Sequence, residues 1–197
     1  MKTFVDRGGT FTDVVNVDEE GQLSLRKVRS DVAVVGDLAQ GELTLGTTVA
    51  TNALLERKGV KTLLILSEGF KDLVHIRDQT RPSLFEPDHQ RSSPLCEAVF
   101  ELRGHINHLG EVVDTLEIPE GELQRVLEAG AFESVAIVLM NSHRSGAHEI
   151  KTAETLRRLL SEEIWITLGH EASPELGYLA RIETALVDAA ITTLLRA

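Results

Sequence analysis

The octapeptide Asp6-Arg7-Gly8-Gly9-Thr10-Phe11-Thr12-Asp13 concentrates residue types that bind phosphate. A Gly-Gly pair at a hairpin tip, free to take positive φ, lets successive backbone N–H groups turn toward one point without a clashing Cβ, which makes an anion nest. Thr10 and Thr12 add hydroxyl donors. Asp6 and Asp13 bracket the turn, where a carboxylate could hold Mg²⁺ by way of its waters. No Gly-Lys-Ser/Thr follows, so this is not a P-loop, and the third glycine and following helix of a dinucleotide fingerprint are missing. A plain solvent-exposed hairpin with acidic flanks fits the same spacing.

A second candidate starts at Gly46-Thr47-Thr48, where a helix is predicted to begin. Free amides there, with the Thr47 and Thr48 hydroxyls, can receive a phosphate or a substrate's carboxylate or carbonyl. Asn52, one turn in, can add a hydrogen bond. A threonine-capped amphipathic helix explains both threonines without a ligand. Other polar residues point to less. His105 and His108, between Gly104 and Gly110, read as a solvated loop pair with no third ligand nearby. His148-Glu149 reads as part of a helix cap, and Cys96 as a buried, inert thiol.

With 20 Lys and Arg against 31 Asp and Glu, the formal charge is −11. That field repels phosphate backbones and anionic lipid, which argues against nucleic-acid or membrane partners. Any phosphate must therefore be held by local features. A single cysteine excludes an internal disulfide and a multi-cysteine metal site. The charged start lacks a signal-peptide core, and the apolar run Val135 to Met140 is too short to span a bilayer, so a cytoplasmic protein is expected.

These candidates need elements to position them. Two strands flank the Gly-Gly turn, and a third, Leu23 to Val28, follows a turn at Glu19-Glu20-Gly21. Ser30 to Glu42 reads as a loop, and Val49 to Lys58 as a helix stopped by Gly59 at its C′ position. Beyond it come a strand at Thr62 to Leu66, a short helix within Gly69 to Asp78 and a proline-rich excursion from Arg81 to Leu95. Strands are then expected at Glu97 to Leu102, Val112-Val113, Ser134 to Leu139 and Ile164 to Ile166. Helices are expected from Pro119 to about Ala129, from Ala147 to Leu160 with Ile150, Leu156, Leu159 and Leu160 inward, and from Leu176 to Leu195. Alternating strands and helices after an antiparallel start give an α/β fold with mixed pairing, in one domain over residues 1–197.

The octapeptide, together with the run from Gly46-Thr47-Thr48-Val49-Ala50-Thr51-Asn52 to Gly59, resembles the N-terminal region of the hydantoinase A/5-oxoprolinase family, which includes acetone carboxylase subunits. Gly69-Phe70, Arg81-Pro82, Ala147-His148-Glu149 and Ser173-Pro174-Glu175 add to the likeness, as do Arg181 and Thr184. The resemblance implies an actin-like ATPase (ribonuclease H-like) lobe. Its first phosphate element would be the hairpin with Gly8, Gly9, Thr10 and Thr12. ATP and Mg²⁺ would be the cofactors, with Asp6 and Asp13 at the metal, and Gly46, Thr47, Thr48 and Asn52 at phosphate or substrate. Members phosphorylate a carbonyl or amide oxygen, for ring opening of cyclic amides or carboxylation of ketones. They are several times longer, which implies a partner subunit carrying the second lobe, and an isolated chain without activity. Leu45 stands where hydantoinase-type members tend to carry histidine. A non-catalytic nucleotide-binding module, or a truncated remnant, is the alternative.

Overall fold

The structure is a computed structural model that describes residues 2–31, 41–80, 85, 93–161 and 163–196. The chain divides into two compact units, Met1–Lys58 and Gly59–Ala197.

Unit 1 is a four-stranded sheet of β1 (Lys2–Arg7), β2 (Phe11–Val17), β3 (Leu23–Arg29) and β4 (Glu42–Thr47), in the order β3-β2-β1-β4. The first three strands form the expected antiparallel meander. Gly21 takes φ +81 in the β2–β3 turn, where Asp18 Oδ1 accepts from the Glu20 and Gln22 amides. The fourth strand was not expected: the loop reading ended at Glu42, and Leu43 to Leu45 carried no assignment. It pairs parallel to β1, setting Asp6 opposite Gly46 and Arg7 opposite Thr47. Residues 32–40 of the expected Ser30–Glu42 loop lie outside the described residues. Val5 and Val14, a cross-strand pair, are the buried apolar centre of the sheet.

Helix α1 spans Val49–Leu55, shorter than expected. Its stop is also different. Lys58 N donates to Ala53 O and Arg57 N to Leu54 O, with Arg57 at φ 54. This is a Schellman ending whose left-handed residue is Arg57, not Gly59. Gly59 is small for another reason: a Cβ there would lie 3.0 Å from the Ala190 Cβ.

Unit 2 has the sheet order β7-β6-β5-β8-β9, built from β5 (Thr62–Ser67), β6 (Ala98–Ile106), β7 (Val112–Glu117), β8 (Ser134–Val138) and β9 (Trp165–Leu168). All pairs are parallel except β6 with β7. Every residue of β5 and β8 is buried, as befits central parallel strands covered on both faces. Helices α3 (Glu120–Gly130) and α4 (Ala147–Leu159) pack on the face bearing Leu63, Ile65, Val135 and Ile137. Helices α2 (Leu73–Ile76) and α6 (Tyr178–Arg196) pack on the face of Leu64, Leu66, Ala136 and Val138. A short turn of helix, α5 (Gly169–Ala172), follows β9.

Three expectations change here. Ile150 is 45% exposed; Leu156 is buried as expected, and α4 also buries His148, Glu149, Thr152, Ala153 and Thr155. His105 belongs to strand β6 rather than a loop, beside a bulge at Gly104. Glu149 does not cap its own helix, whose N-cap is Gly146 without a side-chain bond. The expected proline-rich excursion falls largely outside the described residues. Among the described residues, no helix is long and apolar enough to cross a membrane.

Candidate functional site

The parallel pairing of β1 with β4 brings the two sequence candidates to one end of the unit 1 sheet. Arg7 O is the joint, accepting from Thr47 Oγ1 at 3.1 Å and from Thr48 N at 3.2 Å. Thr47 Oγ1 also accepts from Val49 N at 3.1 Å. Its proton and a lone pair are thereby committed to the framework. Thr48 occupies the N-cap position and accepts from Asn52 Nδ2 at 3.5 Å, leaving its own proton to donate. Asn52 also approaches the hairpin, since a Cβ on Gly9 would lie 3.3 Å from its Nδ2. Hairpin tip, Thr48 and Asn52 are therefore neighbours.

The tip is braced from behind. Gly8 N donates to Phe11 O at 3.0 Å, and Ser30 Oγ donates to Gly8 O at 2.8 Å. Thr12, fully buried, lies 3.0 Å from Ser30 Oγ. Ser30 has one hydroxyl proton and spends it on Gly8, so Thr12 is the donor to Ser30. Thr12 thus sits on the sheet face opposite Asp6 and Asp13 and fastens the tip, apart from the other candidates. Ser30 was missed in the sequence because nothing in a polar loop marks its long-range partner. Thr10 is exposed, and neither the Gly9 nor the Thr10 amide has a partner among the described residues.

Neither Gly8 nor Gly9 has positive φ, which corrects the reason given for them. The Gly8 requirement is close approach: a Cβ there would meet Phe11 O at 3.0 Å. Gly8→Ala is therefore expected to cost on the order of 1–3 kcal/mol, the usual range for overpacking. Gly9→Ala should cost less, because the Asn52 side chain can move aside. Thermal melts of the two variants check this order, and an equal loss would refute it.

Asp6, Asp13 and Lys27 line up across three strands. Lys27 Nζ pairs with Asp13 Oδ1 at 3.1 Å, while Asp6 has no ion pair among the described residues. Gly46 flanks Asp6, and even a Cβ added to it would stand 3.8 Å from Asp6 Oδ1. An exposed carboxylate beside a side-chain-free backbone, with hydroxyls one residue beyond, suits a hard cation that keeps its waters. The residues present fit Mg²⁺ at Asp6, whereas Asp13 is already engaged by Lys27.

Elsewhere the sequence candidates stay apart. His105 and His108 are exposed, and the described residues hold no group of three or more His, Cys, Asp or Glu able to bind a metal ion. Burial pushes the Cys96 thiol up to about 11, which keeps it protonated and unreactive. Unit 2 holds a buried polar cluster that sequence reading missed. Fully buried Glu149 accepts from Leu139 N at 2.8 Å through Oε1. Its Oε2 accepts from His170 N at 2.9 Å and faces His170 Nδ1 at 2.6 Å.

Comparison with known proteins gives the family and the fold. The sequence model described as hydantoinase/oxoprolinase N-terminal region matches residues 2–160. The 5-oxoprolinase of Dictyostelium discoideum is 30% identical over 249 aligned residues, covering 99% of this chain and 19% of its own length. The caprolactamase subunit alpha of Pseudomonas jessenii is 28% identical, covering 94% of this chain and 30% of its own. This chain thus spans about a fifth to a third of the curated relatives it matches. The crystal structure of the ATP-dependent caprolactamase from Pseudomonas jessenii superposes over 100% of this chain and 32% of that one, with TM-score 0.82 at 23% identity. The nucleotide-free acetone carboxylase does so over 98% of this chain and 32% of that one, with TM-score 0.80 at 18% identity. The expected α/β lobe with mixed sheets and an N-terminal hairpin is borne out. The chain belongs to the hydantoinase/oxoprolinase N-terminal region family.

Proposed function

We propose that unit 1 is the phosphate- and metal-holding element of an enzyme that uses ATP to activate the carbonyl oxygen of a cyclic amide for hydrolytic ring opening. The observation that carries this reading is the β1–β4 register, which gathers Asp6, the Gly8-Gly9-Thr10 tip, Thr48 and Asn52 at one sheet end. The Gly9 and Thr10 amides and the Thr10 and Thr48 hydroxyls donate to phosphate oxygens. Thr12, through Ser30, and Thr47, through Arg7 O, hold those donors in place. Asp6 would hold Mg²⁺, and Asp13 restrains Lys27. The metal, when bound, neutralises charge on the phosphates; phosphoryl transfer otherwise depends on positioning, which a braced backbone supplies. An amide oxygen is a poor leaving group and its phosphate ester a good one, which is the chemical use of ATP here.

The adenosine pocket, the substrate contacts and the second phosphate element belong, in this reading, to a second lobe outside these 197 residues. An actin-like cleft works by closing, and one lobe leaves the phosphates open to water. The purified chain alone is therefore expected to show no ATP-dependent opening of 5-oxoproline or hydantoin. Phosphate release is measured with and without the complementary polypeptide. Turnover by the chain alone, above a Gly9→Val control, would overturn the two-lobe reading. A second reading, a nucleotide-binding module without catalysis, rests on the same braced donors, which hold phosphate whether or not transfer follows. Substrate-independent ATP binding with no turnover in the complemented assembly would select it.

A further inference from the structure

In an open parallel sheet, ligands bind outside the carboxyl ends of two neighbouring strands whose onward connections run in opposite directions. In unit 2 the chain leaves β5 toward β6 and leaves β8 toward β9. The switch point therefore lies beyond Ser67 and Val138. Two residues of α6 reach it. Tyr178 Oη donates to Val138 O at 2.8 Å and accepts from Ser67 N at 3.2 Å. Arg181, fully buried, donates to Leu139 O at 3.2 Å and Glu175 O at 2.9 Å.

The polar loop Asn141-Ser142-His143-Arg144 follows β8 against Arg181 and is held at several points. Asn141, at φ 59, donates through Nδ2 to Ile106 O at 2.7 Å. Ser142 N donates to Leu139 O and Arg144 N to Asn141 O. Arg181 Nη1 stands 3.0 Å from His143 Nδ1. A guanidinium can only donate, so His143 Nδ1 accepts and the ring proton resides on Nε2. Burial and the guanidinium groups of Arg181 and Arg144 hold its pKa below the ordinary 6.5, in keeping with a neutral ring. A neutral imidazole with a fixed N–H, beside two cations, is suited to an anionic oxygen acceptor.

We propose that this loop is a second ligand site, in which His143 Nε2–H donates to an oxygen of a small organic carboxylate and Arg144 supplies the neighbouring charge. The site is independent of nucleotide binding by unit 1 and extends the molecule's function beyond the hairpin. The carboxylate replaces water on a donor that is already oriented, so little ordering is needed on binding.

Long-range ¹H–¹⁵N correlation NMR on the intact chain tests both halves. The His143 ring is expected as the neutral Nε2–H form, and 5-oxoproline should shift its Nε2 resonance saturably. 2-Pyrrolidinone, which has the ring amide but no carboxylate, should bind at least about tenfold more weakly. His143→Phe should abolish the response followed at the Arg144 amide. His143→Gln, which keeps an N–H donor, should largely retain it. An Nδ1–H tautomer, no saturable shift at concentrations well above a millimolar Kd, or an equal response to 2-pyrrolidinone would each overturn the assignment. None of these outcomes bears on ATP binding, which is read separately from Asp6→Asn.

Discussion

Asp6→Asn is expected to weaken Mg²⁺-dependent ATP binding sharply while leaving the ligand-free fold intact. The side chain is exposed and has no ion pair among the described residues, so its loss should change stability by no more than about 0.5 kcal/mol. A charge-assisted contact contributes about 1.5–3 kcal/mol. The Kd for Mg-ATP should therefore rise by roughly 10- to 150-fold, in the chain alone or in the complemented assembly. Asp13→Asn should do less to binding, because that carboxylate already serves Lys27. Calorimetric titration separates the outcomes: equal affinities for wild type and Asp6→Asn would sink the phosphate-hairpin assignment. A pure stability loss without change in affinity would mean an ordinary hairpin.

Glu149→Ala is expected to have the largest effect on stability. Glu149 is fully buried and accepts three hydrogen bonds that join the end of β8 to α5. Removing it strands two backbone N–H groups and the His170 ring, a loss of about 3–5 kcal/mol by analogy with broken buried pairs. For a chain of this size that lowers the melting temperature by about 10 °C.

The same pair sets a pH dependence. The hydrogen bond to Glu149 raises the His170 pKa above the ordinary 6.5, against the opposing effect of burial. The folded state thus binds this proton more tightly than the unfolded state does. Its stabilisation is complete below about 6.5 and is lost as pH rises through the raised folded value. His143 and His148 shift the opposite way through burial, so their contribution is lost at the acid end. Melts of wild type and His170→Gln across neutral pH should converge toward alkaline conditions. Curves that stay parallel would show that the pair does not titrate.

Much of unit 1's chemistry was legible because it is local. Asp6 to Asp13 lie within one hairpin, where alternation and a Gly-Gly turn announce the strands. The reason assigned to the glycines was wrong, since close approach to Phe11 O, and not φ, excludes a side chain at Gly8. Strand β4 escaped notice, although Leu43 and Leu45 alternate with polar residues, because it is short and its parallel partner β1 is distant in sequence, with Lys2 opposite Glu42. Thr12 and Thr47 were legible as hydroxyls but not as braces, because their partners Ser30 and Arg7 stand 18 and 40 residues away.

By itself, the sequence determined the family, the hairpin motif, most helices and, within a residue at their ends, the strands read at Thr62 to Leu66 and Ser134 to Leu139, all of which rest on contiguous residues or on local periodicity. Tertiary structure alone decided that Asp6 faces Gly46, that Asn52 reaches the tip, and that Glu149, His170, Arg181 and His143 gather beyond β8. The physical reason is range. Helix and strand periodicity reflects which face of an element is buried, whereas a buried carboxylate or guanidinium is admitted only by partners from other elements. Those partners leave no mark on the neighbouring sequence.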